Sequence, residues 1–423
     1  MSPPEVERIS ADPEKQAAEE RNETPPVRAA GFAASDGCSA DTGRTGEQKQ
    51  SPAHDGDIPE DWVRAIVDPA AFAEEQRRLA HVWTFLGMTS EIEKDGDWFR
   101  ASIATRSVFV QRFGVELRGF ENLCAHRFYP LRNAERGNGP VICDFHHWQY
   151  DREGRAVGIP LCRELYDALP QELGARLTPI ELATCGQMIF GRFAHPDVSE
   201  SLEDFLGMGF PILAAGSRVR GRPQRLTIPF EANWRLGAHV SLDDYHVAAV
   251  HPSTFGRRGH VRRRNISYYR FGLHCAFVDT TKADELERIA EACRNGTYSP
   301  DRYAILQFVP NVLMVFVKTD FAFWHCVVLL YEPARHDRTL LRAWFYPVPF
   351  PSRHSWARAL TDPVRAPFVR HYVGTVLRED NLVCERLQKA AHQIRRPPLL
   401  GRLEERIGWF EESYRKLMEA GDL

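Results

Sequence analysis

Cys124-Ala125-His126 and Cys143-Asp144-Phe145-His146 are two short stretches that each pair one cysteine with one histidine. Two thiolates and two imidazoles are the mixed ligand set of a [2Fe–2S] cluster that has cysteines on one iron and histidines on the other. A structural zinc site takes the same residue types, but it usually pairs Cys with Cys and His with His. The alternating order therefore favours an iron–sulfur cluster.

A second set of candidate metal ligands follows in Asp243-Asp244-Tyr245-His246-Val247-Ala248-Ala249-Val250-His251. Two imidazoles beside carboxylates are most of a 2-His-1-carboxylate ferrous site with open positions for dioxygen. Helical spacing predicts that His239, Asp243 and His246 share one face of a helix, and His251 joins them only if the helix loosens before Pro252. The alternative is a solvated helix face with locally hydrogen-bonded histidines. A cluster that stores one electron and an iron that binds oxygen together indicate an oxygenase.

The composition of the whole chain is that of an ordinary soluble protein. Its 423 residues predict two domains, and its net charge of −3 gives no electrostatic footprint for nucleic acid. No apolar stretch approaches the roughly 18 residues that span a bilayer, so we expect a cytoplasmic protein without membrane attachment. The nine cysteines are widely scattered, which argues against a disulfide framework.

The chain divides into four segments by pattern. Residues 1–56 are polar and aperiodic, so we expect a disordered leader. Residues 57–84 contain a predicted helix that starts at the N-cap Asp68 and Pro69 and packs on the later domain. Residues 85–195 are predicted to be β-rich, with a hairpin over 98–120 that leads into Cys124. Residues 196–423 mix strands such as 225–230 and 312–317 with helices, the last over 403–417, which predicts an α+β domain.

The cysteine and histidine motifs carry a family resemblance. Cys124-Ala125-His126-Arg127 and Cys143-Asp144-Phe145-His146-His147-Trp148-Gln149-Tyr150-Asp151, followed by Gly154, resemble the Rieske domain of the ring-hydroxylating oxygenase α subunits. The resemblance implies that Cys124, His126, Cys143 and His146 ligate the cluster. It also implies an α+β fold with a central antiparallel sheet of the helix-grip, START-like kind in the catalytic domain. Phe128 and His147 depart from the family, which commonly has glycine at both positions.

The same resemblance assigns the second metal. Asn233-Trp234-Arg235 with the later Asp-x-x-His-x4-His implies that His246 and His251 bind a mononuclear Fe(II). It makes Asp243 a bridge from His246 to His146 of the partner subunit. The acidic segment 377–385 resembles the family's late ligand segment; Asp380 is the predicted third ligand and Glu379 the alternative. His239 is either a hydrogen-bonding group near the iron or a locally satisfied histidine.

The implied function is that of a terminal oxygenase. A ferredoxin and/or flavin reductase would pass electrons from NAD(P)H to the cluster, and the iron would use O2 to hydroxylate an aromatic or related small organic substrate. The resemblance also implies a homotrimer and a possible β subunit. The alternatives are an oxidative demethylase or quaternary-ammonium monooxygenase built on the same apparatus, and a Rieske electron carrier without chemistry of its own. Candidates for an aromatic pocket are Phe255, Phe321, Phe323, Trp324, His325, Trp344 and Phe345.

Overall fold

The fold is a mixture of four β-sheets and peripheral helices, described from a computed structural model for residues 58, 62–219, 222–254, 261–318, 324–347 and 355–420. The predicted disordered leader, residues 1–56, lies outside these residues, and so do the pocket candidates Phe255, Phe321 and Phe323. The helices in this part of the chain are α1 (Arg64–Val67), α2 (Pro69–Leu79), α3 (Cys162–Tyr166), α4 (Leu202–Leu206), α5 (Gly209–Gly216), α6 (Trp234–Leu242), α7 (Val247–Val250), α8 (Glu285–Arg294), α9 (Ser355–Ala391) and α10 (Glu405–Ala420). The strands are β1 (Thr84–Met88), β2 (Asp97–Ile103), β3 (Arg106–Phe113), β4 (Glu116–Glu121), β5 (Arg136–Asn138), β6 (Val141–Ile142), β7 (Gln149–Tyr150), β8 (Ala156–Gly158), β9 (Glu181–Cys185), β10 (Met188–Arg192), β11 (Gln224–Phe230), β12 (Ser267–Phe271), β13 (His274–Val278), β14 (Ala304–Phe308), β15 (Val312–Lys318), β16 (Trp324–Arg335) and β17 (Arg338–Pro347).

Helix α2 begins where the sequence predicts. The Asp68 side chain accepts a hydrogen bond from Ala70 N at 2.9 Å, and Pro69 occupies the first helical position. A proline there loses no helical hydrogen bond, because the first N–H groups of a helix have no partner inside it. On the buried side of α2, Glu75 accepts hydrogen bonds from Trp234 Nε1 at 3.1 Å and from Tyr414 Oη at 2.6 Å. These bonds join α2 to α6 and α10.

The cluster region is built from two small antiparallel sheets. In the described residues, one sheet has the order β4-β3-β2-β5 and the other the order β6-β7-β8. The predicted hairpin is confirmed as β3 and β4, which turn at Gly114 with a φ of +60°. A small core lies between the sheets and contains Phe109, Phe120, Cys124, Leu131, Val141, Cys143, Trp148, Tyr150, Ala156, Ile159, Cys162 and Leu177. Both candidate cysteines therefore belong to this core.

The strands β1, β10 and β9 form a third sheet that belongs to a different, larger core. Phe85 on β1 contacts Phe190 on β10 with a ring separation of 5.8 Å and Trp344 on β17 with one of 4.9 Å. Apolar packing therefore joins both ends of the 85–195 segment and one face of β2 and β3 to the larger core, whereas residues from Phe120 to Leu177 pack around the cluster loops.

The largest sheet is antiparallel throughout. Seven strands of the described chain follow the order β11-β17-β16-β15-β14-β13-β12. The predicted strands 225–230 and 312–317 are confirmed as β11 and β15, and the predicted α+β class with a central antiparallel sheet is confirmed as well. Helix α9 contacts β11 and α6, and α10 contacts β13. No helix in the described part of the chain combines the length and apolar character that crossing a bilayer requires.

One local prediction is wrong. The sequence predicts a continuous helix through Asp243 and His246, but α6 ends at Leu242 and Asp243 is extended, with φ −91° and ψ 116°. Asp243 Oδ1 accepts hydrogen bonds from Tyr245 N at 2.6 Å and His246 N at 3.2 Å. A side chain that binds the next backbone N–H groups competes with the helical hydrogen bonds, so the helix stops here. Helix α7 then starts at Val247.

Candidate metal centres

The first cluster loop, between β4 and β5, is closed by its own backbone. Cys124 N donates to Tyr129 O, and Phe128 N donates to Cys124 O, both at 2.9 Å. Phe128 has a φ of +57°, the left-handed conformation that usually belongs to glycine, and its side chain is 72 % exposed. This tight turn brings His126, two residues after Cys124, to the same end of the loop as the thiol.

The second cluster loop, between β6 and β7, repeats the first. Cys143 N donates to Trp148 O at 2.9 Å, and His147 N donates to Cys143 O at 2.8 Å. His147 has a φ of +56°. The two positions at which the sequence departs from the family's glycines are therefore equivalent left-handed turn positions. Phe128 and His147 occupy them at the cost in backbone energy that a side chain brings to this region.

The four predicted cluster ligands meet between these loops. Cys124 and Cys143 are buried, whereas the half-buried rings of His126 and His146 lie with centroids 4.8 Å apart. His126 stacks on Trp148 with parallel planes and a centroid distance of 4.8 Å. Its Nδ1 is buried without a hydrogen-bond partner, which is costly unless the atom binds something else. The two buried thiols and the two adjacent imidazoles supply the residue types of a Rieske ligand set.

Tyr150 supports the thiol side of this centre. Its hydroxyl lies 3.0 Å from Cys124 Sγ and accepts a hydrogen bond from Ala125 N at 3.0 Å. A deprotonated sulfur can only accept a hydrogen bond, so with a thiolate at Cys124 the Tyr150 hydroxyl would donate to it. Burial raises the pKa of the Cys143 thiol. The positive charge of a bound metal would offset this cost and stabilise a thiolate there.

The second centre lies where α7 meets α9. The ring nitrogens His246 Nε2 and His251 Nε2 are 3.2 Å apart, and Asp380 Oδ1 lies 3.4 Å from the first and 2.9 Å from the second. Metal bonds of about 2.1 Å place ligand atoms that stand at right angles about 3.0 Å apart, so these three atoms fit one face of a metal. They form the metal-capable His/Cys/Asp/Glu group found in the described residues.

Each ligand histidine has a carboxylate on its other nitrogen. His246 Nδ1 lies 3.5 Å from Asp243 Oδ2, and His251 Nδ1 lies 2.8 Å from Glu379 Oε2. Burial disfavours charge on His246, but the nearby carboxylates of Asp243 and Asp380 outweigh this effect and raise the pKa of His246 to about 10. Burial likewise opposes charge on Asp380, yet the two histidines lower its pKa. The pocket thus attracts positive charge, which either protons or a metal cation can supply.

Hydrogen bonds of Asp244 hold the loop that carries Asp243 and His246. Asp244 Oδ2 accepts hydrogen bonds from Tyr268 Oη at 2.6 Å and from Arg406 at 2.9 Å, and Asp244 N donates to Leu403 O at 3.1 Å. Arg406 is completely buried. The sequence does not predict these hydrogen bonds, because Asp243 and Asp244 are adjacent residues of the same type and only their surroundings in the fold distinguish them.

None of the other predicted positions in the described residues belongs to the group formed by His246, His251 and Asp380. His239 Nε2 lies 2.6 Å from Glu411 Oε1 on α10, which matches the alternative of a locally satisfied histidine. Trp344 and Phe345 are fully buried strand residues of the core, and Trp344 Nε1 donates to Glu91 at 2.9 Å. His325 is buried on β16 as well.

Comparison with known proteins identifies the two regions of the chain that carry these candidate centres. A family model described as "Rieske [2Fe-2S] domain" matches residues 82–171, and one described as "Ring hydroxylating alpha subunit (catalytic domain)" matches residues 219–420. The chain belongs to the Rieske ring-hydroxylating oxygenase α-subunit family. The resemblance inferred from the sequence is thereby confirmed. A [2Fe–2S] cluster and a mononuclear iron are the cofactors typical of this family.

The relatives differ in the molecules they act on. The chain is 32 % identical to the large oxygenase component of salicylate 5-hydroxylase from Ralstonia sp. over 209 residues, which are 44 % of this chain and 48 % of that protein. It is 29 % identical to the glycine betaine monooxygenase oxygenase subunit from Chromohalobacter salexigens over 192 residues, 44 % of this chain and 41 % of that protein. The match thus spans less than half the length of these curated relatives. Among solved structures, naphthalene 1,2-dioxygenase from Rhodococcus sp. has the same fold, with a TM-score of 0.66, 22 % identity, and coverage of 84 % of this chain and 94 % of that one.

Proposed function

We propose that the protein is the terminal oxygenase component of a multicomponent Rieske oxygenase. The observation that carries the proposal is the convergence of His246, His251 and Asp380 on one point, in a chain that also has two Rieske loops. Cys124, His126, Cys143 and His146 would hold the cluster. When bound, the cluster supplies single electrons and the iron supplies the positions at which dioxygen is activated.

The protein residues contribute geometry and partial exclusion of water. Asp380 and the two histidines would hold the iron with three ligand atoms, and the iron would supply open positions for oxygen. The side chains of His246 and Asp380 are 15 % and 14 % exposed, whereas that of His251 is 3 % exposed. We infer that substrate approaches from the side of His246 and Asp380, while His251 anchors the site in the core.

Metal analysis tests the proposal. Anaerobically purified protein should contain about three irons and two acid-labile sulfides per chain. Asp380→Ala should lose the mononuclear iron and keep the visible absorption of the cluster. A chain that holds the cluster iron alone would instead be an electron carrier, and that result would overturn the proposal.

We propose hydroxylation of an aromatic or related small organic molecule as the reaction. NAD(P)H would be the electron donor, acting through a ferredoxin and/or flavin reductase in the cytoplasm. The relative that acts on salicylate supports this substrate class. Incubation with a generic reductase, NADH and isotopically labelled dioxygen across aromatic, methoxy and amine compounds should place label in a ring hydroxyl group. Product without label would contradict an oxygenase.

The alternative reaction is oxidative demethylation or oxygenation of a quaternary amine. Relatives that act on glycine betaine and on N,N-dimethyl phenylurea, at 29 % and 30 % identity, support it. Hydroxylation of a methyl carbon next to nitrogen or oxygen releases formaldehyde, whereas ring hydroxylation releases none. Formaldehyde measured in the same substrate screen therefore separates the two reactions.

We also propose a homotrimer, with the cluster of one subunit serving the iron of the next and room for a β subunit. Exposed aromatic residues support such a contact at both centres: Phe145 beside the cluster is 49 % exposed, and Tyr245 beside the iron ligands is 61 % exposed. Asp243, whose side chain is 21 % exposed, would bridge to His146 of the partner subunit. Light scattering that gave a monomer at micromolar concentration would contradict the assembly.

A further inference from the structure

Glu379 contacts the iron ligand His251 from the side opposite the metal position. Its Oε2 lies 2.8 Å from His251 Nδ1, while His251 Nε2 faces Asp380 and His246. Glu379 Oε1 accepts a hydrogen bond from Ser253 Oγ at 3.4 Å. Glu379 and Asp380 are consecutive on α9, where neighbouring side chains diverge by about 100°. One turn of helix therefore places a carboxylate at each nitrogen of the same ring.

This arrangement selects the form of His251 that a metal needs. A carboxylate only accepts hydrogen bonds, so the Nδ1 that faces Glu379 carries the proton. In the neutral ring Nε2 then has a lone pair, directed at the point shared with Asp380 and His246. Without Glu379, the ring could rotate or place its proton on Nε2, and either change removes a metal ligand.

The two ligand histidines are not supported equally. Asp243 Oδ1 binds backbone N–H groups, and its Oδ2 lies 3.5 Å from His246 Nδ1, beyond good hydrogen-bond length. His246 Nδ1 is consequently buried without a hydrogen-bond partner. Glu379 holds its histidine 0.7 Å closer than Asp243 does, at 2.8 Å against 3.5 Å. Of the two carboxylates, Glu379 is the one that fixes a ligand ring in this chain.

We propose that Glu379 is a positioning residue for the mononuclear iron, which acts by fixing the tautomer and orientation of His251. The inference rests on the metal site of the proposed function and adds a residue to it. Carboxylates that hold a ligand histidine in this way typically change metal affinity by about 10–100-fold when they are removed. Glu379→Ala should therefore weaken Fe(II) binding by about that factor. Glu379→Gln, whose amide oxygen still accepts from Nδ1, should weaken it less.

The test measures Fe(II) affinity in the full-length protein by competition with a coloured chelator, together with the electronic spectrum of the Co(II)-substituted site. Glu385→Gln is the matched control, because Glu385 lies on the same helix but accepts a hydrogen bond from Glu231 N at 3.1 Å. It should bind Fe(II) like the unmodified protein. Cluster absorption should be the same in all variants, and so should the thermal midpoint of protein that lacks the mononuclear iron. Equal values would show that a loss of Fe(II) affinity does not come from unfolding.

The possible outcomes are distinct. Weaker binding in the order Ala, then Gln, together with an altered Co(II) spectrum, supports the inference. Equal affinity in Glu379→Ala and the unmodified protein overturns it and leaves the proposed function intact. An unmodified protein that binds no Fe(II) outside the cluster overturns both.

Discussion

Replacing Phe128 by glycine should stabilise the first cluster loop, although the change removes an aromatic ring. Phe128 has a φ of +57° and a side chain that is 72 % exposed, so the ring buries little surface. The left-handed conformation costs a residue with a side chain about 1–2 kcal/mol. Glycine loses about 0.4–1 kcal/mol more backbone entropy on folding than alanine does. The midpoints of these two ranges differ by about 0.8 kcal/mol, so the expected net gain is about 0.5–1 kcal/mol.

Phe128→Ala separates the effect of the backbone conformation on stability from the effect of losing the aromatic ring. Phe128→Ala also removes the ring but keeps the unfavourable φ, so it should change stability by no more than about 0.5 kcal/mol. Phe145 is the control, because it is an exposed aromatic residue of the neighbouring loop that does not have a positive φ. There glycine should be less stable than alanine by about 0.5–1 kcal/mol.

The assay follows the visible absorption of the cluster in anaerobic protein at a fixed elevated temperature. A rate is measured because a protein with bound metals does not unfold in a simple two-state transition. A gain of 0.5–1 kcal/mol should slow cluster loss by about two- to fivefold if opening of the loop limits it. If Phe128→Gly loses its cluster as fast as Phe128→Ala, or faster, the argument from the left-handed turn is refuted.

Three other perturbations test the remaining structure. Asp243→Asn keeps an oxygen for the backbone hydrogen bonds but removes the negative charge beside His246. This variant should retain both metals and lose about 10–100-fold in turnover. Unchanged steady-state hydroxylation would contradict the bridging role. Glu411→Ala should cost about 3–5 kcal/mol in denaturant unfolding of the metal-free protein, because it leaves the buried Arg235 without its hydrogen-bonded carboxylate. A cost below about 1 kcal/mol would show that the pair is dispensable. Burial lowers the pKa of His274 to about 4. As the pH falls below about 6.5, His274 therefore takes up a proton in the unfolded chain before it does so in the folded protein. The free energy of unfolding should fall between pH 6.5 and about 4, by at most about 1.4 kcal/mol per pH unit. In His274→Gln the free energy of unfolding should depend less steeply on pH over this range. An equal pH dependence in both proteins would show that another group causes it.

Local motifs predicted the cluster region well. Cys124 and His126 are two residues apart, and Cys143 and His146 three, so each pair stays together whatever the rest of the chain does. The hairpin before Cys124 and the capped start of α2 depend on neighbouring residues as well. Both were predicted correctly for that reason.

The prediction was wrong where two local preferences compete. Helical spacing favoured one helix through Asp243, but the Asp243 side chain binds the following N–H groups and ends α6 at Leu242. A prediction from helical spacing uses only the position of each residue. The end of α6 depends instead on the Asp243 side chain, which hydrogen-bonds to the neighbouring backbone. The break also separates His246 from the face of α6 that carries His239.

The family, the cluster loops and the order of the two metal motifs can be read from the amino-acid sequence, because each depends on residues that are close along the chain. Which acidic residue of α9 faces which nitrogen of His251 depends instead on how the chain folds. That histidine lies more than one hundred residues before Asp380, and nothing local relates them. The large antiparallel sheet and the packing of α9 on α6 bring them together. Consecutive side chains on a helix point in different directions, so the fold gives Asp380 the metal side of the ring and Glu379 the opposite side.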